Sequence, residues 1–189
     1  MALDYSQLER TYVRRQDRQK KDDDWMKAFI RRAPFCAIGT VFEQQPFVHT
    51  NIFVYDEEKH AIYLHTARTG RTRFNIQHHQ EVCFSISEMG RLLPAKVALE
   101  FSVEYRGITA FCTASIVENP EEEERVLKLL LEKYCPQFKY GEDYRAVTPE
   151  ELQRTTVFRL DIREWTGKEK REREDFPLAF YYRSGQESR

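Results

Sequence analysis

The sequence predicts a mainly β fold with peripheral helices, built as a small barrel, and three observations carry that reading. Six apolar or alternating stretches of strand length lie between Phe35 and Trp165, and such alternation marks strands that bury one face. Helical patterning is confined to a few short stretches. Glycines fall inside β stretches, at Gly39 and at Arg106-Gly107, where a curved sheet bends or bulges. Many strands, few helices and bends in mid-strand together favour a barrel over an open sheet.

Composition sets the limits. The 189 residues fit one domain, and 41% hydrophobic with 13% aromatic residues can supply a core. A net charge of -1, from 30 basic and 31 acidic residues, gives no global field to hold nucleic acid or an anionic membrane. No apolar run approaches the roughly 20 residues of a membrane span. The opening MALDYSQLER lacks the apolar core of a signal peptide, so a cytoplasmic location is expected. Cys36, Cys83, Cys112 and Cys135 are widely spaced without C-x-x-C, and three sit in apolar runs. Buried free thiols are expected, with no metal site.

Taken in order, residues 1–22 are a charge-dense arm, solvated or lying on a partner. Asp24 is placed as the cap of a helix, WMKAFIRRA, that presents Trp25, Phe29 and Ile30 on one face and stops at Pro34. Phe35 to Phe42 reads as a strand, and Pro46 to Tyr55, packable on both faces, as its central hairpin partner. The turn Asp56 to His60 leads to a third strand at Ala61, completing a meander. Glu81 to Ser87 is the next strand, followed by a Gly- and Pro-containing loop at Gly90 to Lys96. Val97 to Val117 is a long β stretch broken near Arg106-Gly107. Asn119-Pro120-Glu121-Glu122 opens an amphipathic helix running to Tyr134. Thr148-Pro149-Glu150-Glu151 opens a short helix, and Thr155 to Trp165 is the last strand of the domain at 23–170. The tail, 171–189, turns from charged to aromatic at Phe176 to Tyr182. That segment is too apolar to be left in water, so it is expected to pack as an added strand or arm, on the barrel or on a dimer partner.

Ala61 to Ile76, AIYLHTARTGRTRFNI, carries the chemistry. An apolar strand delivers its end to a polar loop, and Thr69 is read as N-cap of a helix with Gly70, Arg71 and Thr72 in its first turn. Unpaired N–H groups and the helix dipole there favour an anion, and Gly70 allows close approach. Arg68 and Arg71 are spaced to converge on one phosphate, while Arg73 points elsewhere. A solvated basic helix start is the alternative.

Several segments together resemble a known family: H-T-A-x-x-G-R at His65 to Arg71, the VCFSIS strand, the GRLLPA loop, EFSVEYRGITAFCTASIVE, LLLEKYCP and the closing FRLDIREWTGK. The chain is similar, over about residues 12–170, to the pyridoxamine 5′-phosphate oxidase-related FMN-binding proteins, on the branch of the Nim-type nitroimidazole-resistance proteins. The resemblance implies a split β-barrel, a homodimer with two flavin sites at the subunit interface, and FMN as cofactor. By the same resemblance His65, Thr66 and Ala67 lie beside the flavin, and Gly70 and Arg71 belong to its phosphate loop. Thr72 stands where many relatives have lysine, leaving open which of Arg68 and Arg73 supplies the second charge. His49, Thr50 and Asn51 become candidates for the polar edge of the ring, and Trp165 and Lys168 for a region that approaches the partner's flavin; the alternative for all five is an ordinary structural role.

The resemblance therefore implies an FMN-dependent oxidoreductase that passes electrons from a reduced nicotinamide-type donor to a small acceptor such as a nitroaromatic or quinone. No residue is assigned a catalytic role, because the flavin carries the chemistry. Oxidation of the vitamin itself is disfavoured by the lack of a second compact Arg/Lys cluster. Two other readings stand beside it. One is haem binding on the same barrel, with His49, His65, His78 or His79 as axial ligand. The other is a non-catalytic flavin-binding or interaction protein.

Overall fold

The computed structural model describes residues 4–182. Its strands form one antiparallel sheet along the path β3-β2-β6-β7-β8-β5-β4. In chain order these are β1 (Gln19–Lys20), β2 (Cys36–Phe42), β3 (Gln45–Asn51), β4 (Val54–Asp56), β5 (Ala61–Ala67), β6 (Glu81–Leu93), β7 (Ser102–Ile116), β8 (Thr155–Lys170) and β9 (Phe180–Tyr181). The helices are α1 (Asp23–Arg32), α2 (Arg71–His78), α3 (Pro120–Tyr134) and α4 (Pro149–Leu152). The two end strands of the path, β3 and β4, follow one another in the chain and are separated only by Ile52-Phe53. The sheet thus curls until its ends meet at a covalent corner without a hydrogen-bonded ladder between them, which is a split β-barrel.

The interior is filled by alternate residues of the long strands, among them Ile38, Leu64, Phe84, Ile108, Phe158 and Leu160. Helix α1 plugs one end with Met26, Phe29 and Ile30, of which Ile30 is 0% exposed; each such side chain contributes about 1.5–3 kcal/mol on burial. A second cluster lies outside β5 and β8, where Val126 and Leu130 of α3 meet Ala61, Tyr63 and Val157. As expected, Asn119 caps α3 by accepting from the N–H groups of Glu121 and Glu122, and Thr148 and Glu151 form a capping box on α4. All four cysteines are free thiols.

Several elements differ from the sequence expectation. The cap of α1 is Asp22, whose carboxylate accepts from the N–H groups of Asp24 and Trp25; Asp23 and Asp24 instead sit in the first turn, where the dipole favours them. Strand β3 is an edge rather than a central strand, with Val48 73% exposed, and the expected meander is split because β3 pairs with β2 while β4 pairs with β5. Strand β6 runs on through Gly90 to Leu93 where a loop was expected. Gly90 is needed for close packing, since a Cβ there would lie 2.8 Å from Cβ of Glu104. Strand β7 is continuous through Arg106-Gly107, and the irregularity in its pairing with β8 falls at Phe111/Cys112. Strand β8 continues past Trp165 through Thr166-Gly167-Lys168, because β1 pairs with it there.

The arm lies along the sheet rather than free in solvent: Arg10 pairs with Glu164 at 2.6 Å, Lys20 with Glu169 at 2.9 Å, and Val13 is buried. The tail adds Phe180–Tyr181 as a strand on Arg91-Leu92 of β6, and its residues beyond 182 lie outside the described residues, as do residues 1–3 of the arm. Arg91 holds this tail, forking onto Glu104 at 2.7 and 2.9 Å and donating to the carbonyls of Arg173 and Glu174.

Candidate functional site

The barrel is split where β3 ends, and the polar groups of the expected anion site gather there. The β3 pleat sends His49 and Asn51 to one face and Thr50 to the other; Thr50 pairs with Ala37 on the outer side. The Asn51 side chain spans the split, donating from Nδ2 to the His65 carbonyl at 2.6 Å while its Oδ1 accepts from the Ile52 N–H at 2.9 Å. That contact fixes the end of β3 against the end of β5. The Nδ1 atoms of His49 and His65 are both buried without a partner in the described structure. Burial pushes the His65 imidazolium down, so that ring is neutral at pH 7 and can donate or accept.

Beyond β5 the chain reaches α2. The N-cap is Gly70 at φ 153, and Thr69 is not the cap: no side chain caps the helix. The first helical hydrogen bond runs from Phe74 N–H to Gly70 O at 3.1 Å, so the N–H groups of Arg71, Thr72 and Arg73 have no intrahelical acceptor. A Cβ at Gly70 would meet nothing within 4 Å, so the start of the helix is open at that residue. Arg71 is exposed, its guanidinium 4.9 Å from the Phe47 ring of β3 and 5.6 Å from Phe74. Those two rings form a shelf that keeps the charge beside the helix end. Arg73 donates to Thr156 Oγ1 at 2.7 Å. Arg68 is anchored through its backbone N–H to the Arg154 carbonyl. Its charge and that of Arg73 both act on Glu123 of α3, whose carboxyl is pushed up by burial against their pull. Asn75, 0% exposed, pins α2 to β2 by donating to Thr40 Oγ1 at 2.9 Å.

Thr66 donates to the Ala67 carbonyl at 2.9 Å, and Ala67 is exposed at the strand end. Trp165 lies under α1, its indole N–H on Asp23 at 3.2 Å and its ring 4.8 Å from His60. Within one chain it is therefore not gathered with the α2 loop. Lys168 projects from the outer face of β8 over the Tyr105 ring at 5.4 Å. His78 Nδ1 is shared with the Phe74 carbonyl at 2.8 Å, and His79 is the C-cap of α2. The Phe47–Phe74 shelf and the Asn51–His65 contact were missed in the sequence. Both depend on how β3 and β5 meet across the split, which no local pattern encodes.

This geometry offers a helix N-terminus with an open approach, a flanking guanidinium, and a polar strand edge within one split barrel. Such an arrangement defines a split-barrel protein with a candidate anion site at the start of α2. The chain belongs to the pyridoxamine 5′-phosphate oxidase family, whose model matches residues 22–169. No curated protein matches it. Among solved structures, the flavocytochrome Anf3 from Azotobacter vinelandii is 23% identical with a TM-score of 0.78, covering 93% of this chain and 86% of that one. A putative 5-nitroimidazole antibiotic resistance protein from Bacteroides thetaiotaomicron is 19% identical, with a TM-score of 0.66 and coverage of 79% and 85%. The FAD and haem binding protein from Mycobacterium smegmatis is 18% identical, with a TM-score of 0.73 and coverage of 82% and 74%. At these identities the likeness is one of fold. No helix among the described residues is long and apolar enough to cross a membrane.

Proposed function

We propose that this chain binds a flavin, FMN in the first instance, across the split between β3 and β5, and works as an oxidoreductase passing electrons to a small acceptor such as a nitroaromatic or quinone. The observation that carries this reading is the pair of buried, unpartnered ring nitrogens of His49 and His65 beside an uncapped, open helix N-terminus. Buried polar atoms without partners call for an explanation, and a ligand bearing both a phosphate and polar ring edges supplies one. The donors at Arg71 and Thr72 and the open space at Gly70 suit the phosphate; Arg68 or Arg73 is the candidate for further charge. Asn51, Thr50, Thr66 and the two histidines are the candidates to orient the ring. When bound, the flavin supplies the redox chemistry, and the protein holds, orients and shields it. A reduced nicotinamide is the proposed donor. A homodimer with the flavin at the subunit interface is the proposed assembly, and it is the setting in which Trp165 and Lys168 would reach a partner's flavin.

The test is an absorption spectrum of the purified protein before and after titration with FMN, repeated with Arg71→Ala. Flavin bands, and an affinity reduced about tenfold or more in the variant, support the reading; a lost charge-assisted hydrogen bond is worth about 1.5–3 kcal/mol. Failure to take up FMN or FAD refutes it. A second reading, haem on the same barrel, is favoured by the two similar structures described as a flavocytochrome and as a FAD and haem binding protein. His49 and His65 each have a free ring nitrogen to offer, and a Soret band in the same spectrum, lost in His49→Ala or His65→Ala, identifies it.

A further inference from the structure

Tyr55 of β4 brings a hydroxyl to the main apolar core and is 8% exposed. The one partner described for that hydroxyl is Nδ1 of His60, at 2.9 Å. A buried hydroxyl needs a partner, and a backbone carbonyl would serve; here the partner is a base. The two residues flank the turn between β4 and β5, and the His60 backbone is left-handed, at φ 46, a conformation few non-glycine residues adopt. The His60 N–H donates to the Glu57 carbonyl at 3.2 Å, and its carbonyl accepts from the Ile162 N–H at 3.4 Å. The imidazole is thus fixed on the phenol.

Burial holds the Tyr55 hydroxyl above the usual phenol range, with Asp23 and Asp56 adding to it against Arg31. Burial also pushes the His60 imidazolium down; Asp23 opposes this and Lys27 adds to it. At pH 7 the pair is therefore a phenol and a neutral imidazole, whose Nδ1 accepts. Other bonded tyrosines lack such an acceptor. Tyr63 donates to Glu122 at 2.7 Å, but the bonds from Lys59 and Tyr63 hold that carboxyl below its ordinary value, so it is a weak base. Tyr134 donates to the carbonyls of Pro34 and Phe53, and Tyr105 accepts from Arg18.

We propose that Tyr55 and His60 form a redox-active pair that takes up the oxidising equivalent of an oxygen-centred radical such as a peroxyl. One electron leaves the Tyr55 phenol and reduces the peroxyl radical to a hydroperoxide anion, which takes a proton from water. The phenol proton moves to His60 Nδ1, within the reach a proton transfer needs. The products are a neutral tyrosyl radical and an imidazolium. A thiolate in solution returns the electron, itself becoming a thiyl radical, and the proton goes back to the phenol oxygen. Burial keeps the Tyr55 radical from coupling with a second tyrosine, a fate open to the exposed Tyr181 and Tyr182.

The test is flash oxidation of the full chain by a photogenerated ruthenium(III) polypyridyl complex, followed by tyrosyl absorption and electron paramagnetic resonance. The chain has 10 tyrosines, so variants assign the signal. A long-lived tyrosyl radical is expected, forming more slowly in heavy water. Tyr55→Phe should lose it, and His60→Phe should slow its formation about tenfold or more; circular dichroism checks that both fold. An unchanged signal in folded Tyr55→Phe, an unchanged rate in folded His60→Phe, or no effect of heavy water overturns the proposal. So does a tryptophan radical in place of the tyrosyl, because Trp165, its ring 6.1 Å from Tyr55, would then be the electron donor. The radical type and the heavy-water effect are read on the natural protein and decide the matter where a variant does not fold.

Discussion

Raising the pH from 7 to 9 should stabilise this protein through Lys133, against the usual trend. The Lys133 ammonium is folded under the corner that joins β3 to β4. It donates to the Ala33 carbonyl at 2.9 Å and the Phe53 carbonyl at 3.0 Å and lies 3.8 Å from the Phe53 ring centre. Burial pushes it from 10.5 down to about 8. At about 1.4 kcal/mol per tenfold change in proton affinity, the difference corresponds to about 3 kcal/mol, and solvent reaching the partly open group reduces this to about 2 kcal/mol. In the unfolded chain the lysine keeps its proton up to about pH 10.5, whereas the folded protein releases it near 8. Between those values the unfolded state binds more protons, so stability rises with pH; by pH 9 about 1 kcal/mol should have appeared. Cys36 and Cys112 act in the opposite sense, since burial raises their thiols from 9.0 to about 11 and about 12, and their contribution is lost above pH 9. The assay is urea unfolding at pH 7, 8 and 9 of the natural protein and of Lys133→Met, which keeps the packing on Phe53. Subtraction removes groups common to both, and equal m-values check that the unfolded states are comparable. The difference should grow with pH in favour of the natural protein; parallel profiles, or a difference that shrinks, refute the reasoning.

Three further expectations follow from single contacts. Gly167→Ala would put a Cβ 2.8 Å from Trp25 Cζ3 and 2.9 Å from Lys20 Cβ; it should cost about 1–3 kcal/mol, seen as a lower melting temperature and faster proteolysis of the arm, and an unchanged melting temperature would count against the close packing. Glu104 is held down to about 2 from 4.5, first by its bond from Arg91, so its contribution is present above pH 4.5 and lost as pH falls toward 2. Glu104→Gln should flatten that acid limb and expose the tail to trypsin at Arg171 and Arg173, and an acid profile identical to the natural one would contradict this. Arg73→Ala leaves the buried Thr156 hydroxyl without its donor and should cost about 1 kcal/mol in urea unfolding.

The parts of the fold that were legible in the sequence are those with local causes. Asn119-Pro120 and Thr148-x-x-Glu151 cap helices whatever surrounds them, and alternation at Ile62 and Leu64 marks a strand before any partner is known. What could not be read depends on a distant neighbour. Gly90 looks like a turn residue until Glu104 is seen packed above it. The arm looks solvated because Arg10 and Lys20 find their carboxylates on β8, far along the chain. Pro46 to Tyr55 looks central because packable residues occupy both faces, but the chain changes partner at Ile52-Phe53. The same division runs through the site. Gly70 and Arg71 announced a helix N-terminus, whereas Thr69 looked the better cap and only the backbone shows the helix starting one residue later.

The ladder that carries the candidate site pairs Ala67 with Thr155 and Ala61 with Asp161. Closing it requires a loop that contains β6, β7 and α3, and loop closure of that length delays pairing during folding. On a ribosome, β5, which carries His65 and Thr66, has no β8 partner until Thr155 to Asp161 have emerged, and it waits beside β4 alone. The proposed ligand capture at α2 is therefore a late event in the life of the molecule. A ligand that binds there reports completion of the barrel, so uptake kinetics during refolding would time the final closure.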